Sequence, residues 1–213
     1  MRKNSVINGK YVELAMLLGM AFSVFCAGFC GFAEDYRDIT QTVFRLHILA
    51  NSDSEEDQSL KLKVRDAVLE ENSDIFGDCK SAEEAASEAR KHMDEIKASA
   101  ERVLAENGAG YGAECGIAKM RFDDRVYEDM TMPAGEYLAL RVTLGEAEGK
   151  NWWCVMFPPL CLPAVSGEAA EETFSPEELD ILENRESYEC RFYFLELLER
   201  LGDGRHVRGR FNS

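Results

Sequence analysis

The chain has 213 residues, of which 24 are Lys or Arg and 40 are Asp or Glu, so its formal net charge is −16 at pH 7. This balance argues against nucleic acid or an anionic lipid surface as the partner, because both require a cationic face. The length suffices for one domain with a sizeable core, and the negative charge suits a cationic partner surface.

The N-terminus carries an export signature. A short basic head contains Arg2, Lys3 and Lys10, and an apolar run without charged residues follows from Leu14 to Ala33. Cationic flanks are retained on the cytoplasmic side, so the rest of the chain is predicted to lie across the membrane. Small residues at Gly31 and Ala33 predict cleavage after Ala33, which makes residues 1–33 a signal peptide.

Two other interpretations of this run remain open. A bilayer is spanned by about 20 apolar residues, so the run is long enough to stay as an uncleaved N-terminal membrane anchor. Lipidation of Cys26 or Cys30 is disfavoured, since each follows a phenylalanine where a lipoprotein signal has a small residue. In each case residues 34–42 are expected to be a linker.

The first predicted elements after the linker are a strand and a helix. In residues 43–49, Phe44, Leu46 and Ile48 share one parity and Arg45 and His47 the other, which is typical of a half-buried strand. A polar turn at 50–54 precedes a helix whose first turn holds three acids, where they complement the positive end of the helix dipole. Ser81 and Glu84 form the pattern of a capping box, and the long helix that they open is predicted to end at Asn107-Gly108.

The apolar period changes after Gly110. Alternation predicts strands at 114–122, 136–144 and 151–157, and Pro158-Pro159 must stop the last of them. The acidic, apolar-poor segment 164–180 is predicted to be a surface loop. Residues 188–201 have helical spacing, although their first half would also suit a strand, and residues 202–213 form a tail.

This order of elements, β-α-α-β-β-β-α/β, predicts an α+β fold. Two helices are expected on one face of a mainly antiparallel sheet, within a single extracytoplasmic domain over residues 43–201.

The polar turn invites two interpretations. Asn51, Asp53, Glu55 and Asp57 supply alternate oxygen atoms, as at the start of a calcium loop. However, Glu56 occupies the position where such a loop needs Gly, and Leu62 occupies the position of its last acidic ligand. We therefore favour side-chain capping of the following helix by Ser52, Asp53 or Ser54. A polar turn fixed between a strand and a helix remains a candidate contact surface.

The segment Asn151–Cys161 contains two adjacent tryptophans and a double proline. Trp152 and Trp153 must point to opposite faces of a strand, so at least one is unexpected in the main core. An exposed Trp beside Pro158 and Pro159 would make a protein–protein anchor, since Trp is enriched in binding hot spots. Packing of the second Trp under a helix or loop is the alternative.

The cysteines give little support to catalysis. After cleavage five would remain, and none forms a Cys-x-x-Cys pair: Cys79, Cys115, Cys154, Cys161 and Cys190. A disulfide between Cys154 and Cys161 and a set of buried reduced thiols are both open. Cys154 as nucleophile with His47 as base would make an extracytoplasmic thiol hydrolase, but neither residue lies in a hydrolase signature.

Three segments resemble the stage II sporulation protein R family of endospore-forming bacteria. They are Phe44–Asp66, which contains the Asn-Ser-Asp-Ser turn, Met132–Val142, and Asn151–Cys161 with its Trp-Trp-Cys and Pro-Pro-Leu-Cys runs. The export signal lies where the family has one.

The resemblance implies a signalling protein that is not an enzyme and uses no cofactor. Such a protein is made in the forespore and exported into the space between the septal membranes. There it activates a membrane-embedded aspartic protease that processes the precursor of sigma-E. The resemblance supplies no catalytic residues, so our expected contact surface is Asn51, Ser52, Asp53, Asp57, Trp152, Trp153, Pro158 and Pro159.

Overall fold

The alternating segments of the sequence form a four-stranded sheet in a computed structural model, which describes residues 9–127, 130–160 and 166–202. The described strands are β1 (Phe44–Leu49), β2 (Ala113–Phe122), β3 (Arg125–Tyr127), β4 (Met130–Met132), β5 (Gly135–Leu144) and β6 (Asn151–Phe157). The described α-helices are α1 (Gly9–Thr42), α2 (Glu55–Glu71), α3 (Ala82–Lys91), α4 (Met93–Glu106), α5 (Ser166–Thr173), α6 (Pro176–Glu183) and α7 (Glu189–Gly202). The predicted α+β class is confirmed.

The strand order in the sheet is β2-β5-β1-β6. Strand β1 runs parallel to β5, whereas the β2–β5 and β1–β6 pairs are antiparallel. A parallel pair requires a long crossover, and the chain between β1 and β5 supplies it with three helices and three strands. The sheet is thus mainly antiparallel, as the sequence predicted.

Helices α2, α3 and α4 contribute to one core with the sheet. Phe44, Leu46 and Ile48 of β1 are fully buried in it, together with Val64 of α2 and Ile96 of α4. The parity of β1 predicted this, because alternate residues of a strand point to opposite faces. The other parity of β1 carries Arg45 and His47 to the second face of the sheet.

The long helix expected from Ser81 is two helices, because the backbone of His92 leaves the helical region at φ −104° and ψ 19°. Ser81 caps α3 as predicted, since its hydroxyl accepts a hydrogen bond from the Glu84 amide at 3.2 Å. The Glu84 carboxylate accepts from the Lys80 amide rather than from that of Ser81, so the capping box is incomplete.

The predicted surface loop at 164–180 is wrong for the residues described there, which form α5 and α6. Ser175 and Glu178 cap α6 with a complete capping box, and Pro176 occupies its first turn. The acidic composition that indicated a loop instead serves the positive end of this helix dipole. The ribbon of β3 and β4 was not predicted, because three-residue strands are too short to show a period.

The described chain divides into two compact units, with α1 passing from one to the other. Among the described residues, the first contains α1 as far as Tyr36 together with residues 186–202, and the second lies within Arg37–Arg185. Residues 34–42, expected as a linker, continue α1 without a break. The end of the predicted 43–201 domain therefore belongs with α1.

Aromatic packing joins α1 and α7 within the first unit. The ring of Phe32 stacks on Tyr188 at 5.6 Å between centroids and meets Phe192 edge-on at 4.9 Å. By length and composition, α1 is a helix able to cross a membrane, although a signal sequence passes the same test. Its apolar run is the one that the sequence assigned to export.

Candidate functional site

The polar turn after β1 is held by hydrogen bonds to the Asp57 carboxylate. Oδ2 accepts from Ser52 Oγ at 2.5 Å and from Asn51 Nδ2 at 2.8 Å, and Oδ1 accepts from the hydroxyl of Tyr111. The backbone amide of Asp57 donates to Ser54 Oγ at 3.1 Å, which makes Ser54 the N-cap of α2. The capping role that the sequence predicted is therefore confirmed for Ser54.

The same turn binds the loop between β5 and β6. Asn51 Oδ1 accepts from the amide of Glu146 at 3.0 Å, and Asp53 Oδ1 accepts from the amide of Lys150 at 2.8 Å. A Cβ at Gly149 would overlap the Ser52 carbonyl, so only glycine permits this close approach. The side chains of Asn51 and Asp53 thus hold the turn against the loop between β5 and β6.

These contacts stabilise the charged form of Asp57. Donation from Ser52, then from Tyr111, lowers the carboxyl pKa to about 2. Burial and the neighbouring Asp57 raise the pKa of Tyr111. Both oxygens of the Asp57 carboxylate therefore accept hydrogen bonds from protein donors. No group of three or more His, Cys, Asp or Glu suited to a metal occurs among the described residues.

Of the turn residues expected to contact a partner, Asp53 is exposed, whereas Asn51, Ser52 and Asp57 are half-buried in the network. Asp53 is thus the exposed member of this set, although its Oδ1 already accepts from the Lys150 amide.

The second face of the sheet contains a fully buried arginine. The guanidinium carbon of Arg45 lies 4.2 Å from the ring centre of Phe122 and 4.9 Å from that of Tyr137. Its Nη2 donates to the hydroxyl of Tyr127 at 2.7 Å, and its Nε donates to the carbonyl of Cys154 at 3.5 Å. Aromatic faces stabilise the buried cation through their quadrupoles. The sequence placed Arg45 on this face but gave no signal that it would be buried.

Trp153 also points to the second face, where it stacks on His47. The two rings are 3.9 Å apart and inclined by 4°, and Phe122 meets Trp153 edge-on at 4.8 Å. His47 Nε2 lies 2.8 Å from Asn151 Oδ1. Burial lowers the pKa of His47, so the neutral ring is favoured. Trp153 remains half-exposed, which suits the expected role as an anchor.

Trp152 points the other way, into the helix layer. It packs against the main core, and the guanidinium carbon of Arg65 lies 4.5 Å from its ring centre. The two tryptophans therefore differ in the way the alternation predicted. Trp152 follows the alternative of packing under a helix, and Trp153 is the tryptophan that faces away from this core.

Cys154 is disulfide-bonded and 1% exposed. Its expected partner, Cys161, lies outside the described residues. Cys154 is paired with Leu46 in the register and shares the helix-side parity, whereas His47 points to the second face. The sheet thus separates the thiol and imidazole that the hydrolase hypothesis required to meet.

Pro158 is buried after a cis peptide bond, and Pro159 is half-buried. They end β6 as predicted.

One surface escaped the sequence-based prediction. The register aligns Gly116, Arg141, His47 and Trp153 across the second face, one residue from each strand. A Cβ at Gly116 would have no heavy atom within 4 Å, and Ala118 and Arg141 are exposed. Gly116, Arg141 and Trp153 of the aligned row are accessible, and so is Ala118, two residues after Gly116 on β2. We call these four residues the open row. Gly116 and Ala118 carry no motif, and only the register shows that they adjoin Arg141.

These features define an α+β domain preceded in the chain by a helix of membrane-spanning length. The family model of stage II sporulation protein R matches residues 40–166, and the chain belongs to that family. Membership implies a role in sporulation signalling.

The stage II sporulation protein R of Bacillus subtilis (strain 168) is 45% identical over 135 residues, which cover 63% of this chain and 60% of the relative. No solved structure matches the chain. The matched residues include the polar turn, the buried Arg45 and the open row, whereas α6 and α7 lie beyond the family model.

Proposed function

We propose that the chain is an exported ligand that activates a membrane-embedded aspartic protease, which in turn processes the precursor of sigma-E. The observation that carries this proposal is the family match over 40–166, which contains both candidate surfaces. The apolar run of α1 supports export from the forespore into the space between the two septal membranes. The ligand would act there either after cleavage or while still tethered by α1.

Contact rather than catalysis is the mechanism we infer. The buried, disulfide-bonded Cys154 is separated by the sheet from His47, which removes the thiol–imidazole pair of the alternative hydrolase. Half-exposed Trp153 and exposed Asp53 present side chains that a receptor can bind without chemical change.

The test is complementation in sporulating Bacillus subtilis cells that lack their own stage II sporulation protein R. The wild-type chain should restore processing of the sigma-factor precursor. Asp53→Ala and Trp153→Ala should be exported but should reduce processing at least tenfold, because each removes a receptor contact. Asp53→Asn keeps an oxygen that accepts from the Lys150 amide, so it should weaken processing while the turn stays folded. Asp78→Ala, at another exposed acid, is the matched control and should process normally.

Loss of processing must be separated from loss of folding. Trp153→Phe keeps an aromatic ring against His47 and Phe122, so it should preserve thermal stability while weakening the receptor contact. Normal processing by Asp53→Ala and Trp153→Ala would exclude these residues as the contact surface. Failure of the wild-type chain to restore processing would contradict the proposed function.

A further inference from the structure

The two edges of the sheet differ in how well they are protected against pairing. Edge strand β6 has an irregular register against β1 beside Phe44 and is followed directly by Pro158, and both features limit addition of another strand. Edge strand β2 keeps an unbroken ten-residue register with β5 and contains no proline. Among the described strands, only β5 pairs with β2. The Ala113 amide at the start of β2 donates to Glu101 Oε1 at 3.2 Å, and beyond it the outer edge of β2 is a regular template for strand addition.

On the second face of the sheet, β2 carries no large side chain at Gly116 or Ala118. Gly116 has no side chain and open space above it, and Ala118 is small and exposed. On the opposite face, Cys115 and Ile117 are half-buried against the main core. An added strand would thus meet apolar side chains on one face and free space on the other.

Arg141 makes this edge favour a bound segment that carries a negative charge. It is paired with Gly116 in the register and is exposed, and its guanidinium makes no hydrogen bond or ion pair with any described residue. Neighbouring strands lie about 4.8 Å apart, and Gly116 places no side chain between Arg141 and a strand beyond it. The guanidinium can therefore extend over Gly116 toward an added strand. The other basic residues of β2, Lys119 and Arg121, share the parity of Cys115 and Ile117 and so lie on the opposite face, where Lys119 pairs with Glu136 at 3.1 Å.

We propose that the free edge of β2 binds an extended segment of the receptor by strand addition, with a receptor carboxylate paired to Arg141 over Gly116. The segment would alternate apolar residues, facing Cys115 and Ile117, with small or acidic residues above the open row. This inference rests on the proposed function, because it names how the receptor is bound.

A second copy of the chain fits this edge poorly. Antiparallel pairing of two β2 strands around Gly116 would bring two Arg141 side chains together. Each copy also carries a net charge of −16, which opposes association. A different protein that places one carboxylate at this position pairs with Arg141 and avoids the repulsion between two Arg141 side chains.

The experiment uses a photoreactive benzoylphenylalanine at Ala118 of the full chain, in the same complementation cells. The expected result is a cross-link to one membrane protein, mapped by mass spectrometry to an extended segment with an acidic residue. Gly116→Glu should reduce capture at least tenfold, because the new carboxylate pairs with Arg141 within the chain. Arg141→Glu should reduce it similarly by repulsion.

Matched controls separate charge and folding from docking. Ala98→Glu introduces the same carboxylate as Gly116→Glu on the exposed side of α4 and should keep wild-type capture. Arg90→Glu makes the same charge change as Arg141→Glu on the exposed side of α3 and should also have no effect. Reversal of the mapped receptor acid to Arg should restore capture by Arg141→Glu, which loss of folding would not permit.

The outcomes distinguish the two proposals. If the wild-type chain restores processing but the Ala118 probe gives no receptor cross-link, or a cross-link to a second copy, the strand-addition proposal is overturned and the proposed function stands. Unchanged capture by both Gly116→Glu and Arg141→Glu overturns it as well. If processing is not restored but the charge reversal rescues capture, the proposed function fails and the docking edge stands.

Discussion

At the scale of single residues, Asp57 shows how one side chain can join three segments. Its carboxylate accepts from the turn through Asn51 and Ser52 and from Tyr111, which precedes β2. The acidic run suggested either a metal ligand or a dipole partner. It could not show that Tyr111, 54 residues away in sequence, donates to the same carboxylate. Such long-range partners are beyond local pattern analysis.

We expect Asp57→Asn to destabilise the second unit by about 1–3 kcal/mol, because an amide nitrogen would face donors that now pair with a carboxylate. Urea unfolding at pH 7 measures this change. Asp78→Asn, at an exposed acid, is the control and should change stability little.

The effect of Asp57 should depend on pH in a defined direction. Its folded pKa of about 2 is below the ordinary value of 3.8, so its contribution is fully present above pH 3.8 and is lost as the pH falls through about 2. The difference between wild type and Asp57→Asn should therefore shrink over that window. A difference that stays constant between pH 5 and pH 2 would contradict the assignment.

At the scale of elements, the sequence predicted those with a clear period or cap. The β6 bounds match the prediction, and β1, β2 and β5 differ from it by a single residue at their N-terminal ends. The prediction failed where it was based on composition rather than on periodicity. The acidic residues at 164–180 indicated a loop, whereas Ser175 and Pro176 begin a capped helix. The break at His92 was also missed, because the Ala-rich pattern continues through it. The open row needed strand order and register, which alternation within one strand cannot supply.

The packing of α1 on α7 predicts a consequence of cleavage. Removal of residues 1–33 would take away Phe32, which stacks on Tyr188 and packs against the 6%-exposed Phe192. We expect α7 to lose protection from amide hydrogen exchange in a 34–213 form relative to the full chain in detergent, because its apolar contacts carry its stability.

Helices α2 and α4 are the internal controls for this exchange measurement, since their contacts lie within Arg37–Arg185. They should keep their protection in both forms. Equal protection of α7 with and without residues 1–33 would show that the aromatic contacts do not stabilise it.

At the scale of the whole molecule, net charge and the free edge of β2 act against each other. At pH 7 the charge of −16 keeps copies apart, even though an unprotected edge strand favours pairing. Near the isoelectric point of about 4.6 this repulsion disappears. The 34–213 form lacks three basic residues and one acid, so its isoelectric point lies below that of the full chain. It should be monomeric at pH 7.5 and should associate with rising concentration as the pH falls to its isoelectric point, as sedimentation velocity would show. Ala118→Lys should suppress this association, because it places a charge on the β2 edge. Ala98→Lys is the control: it makes the same charge change on the exposed side of α4, away from the edge, and should leave the association unchanged. Equal association of the two variants would mean that copies meet at another surface, and that the acidic balance protects more than the edge of β2.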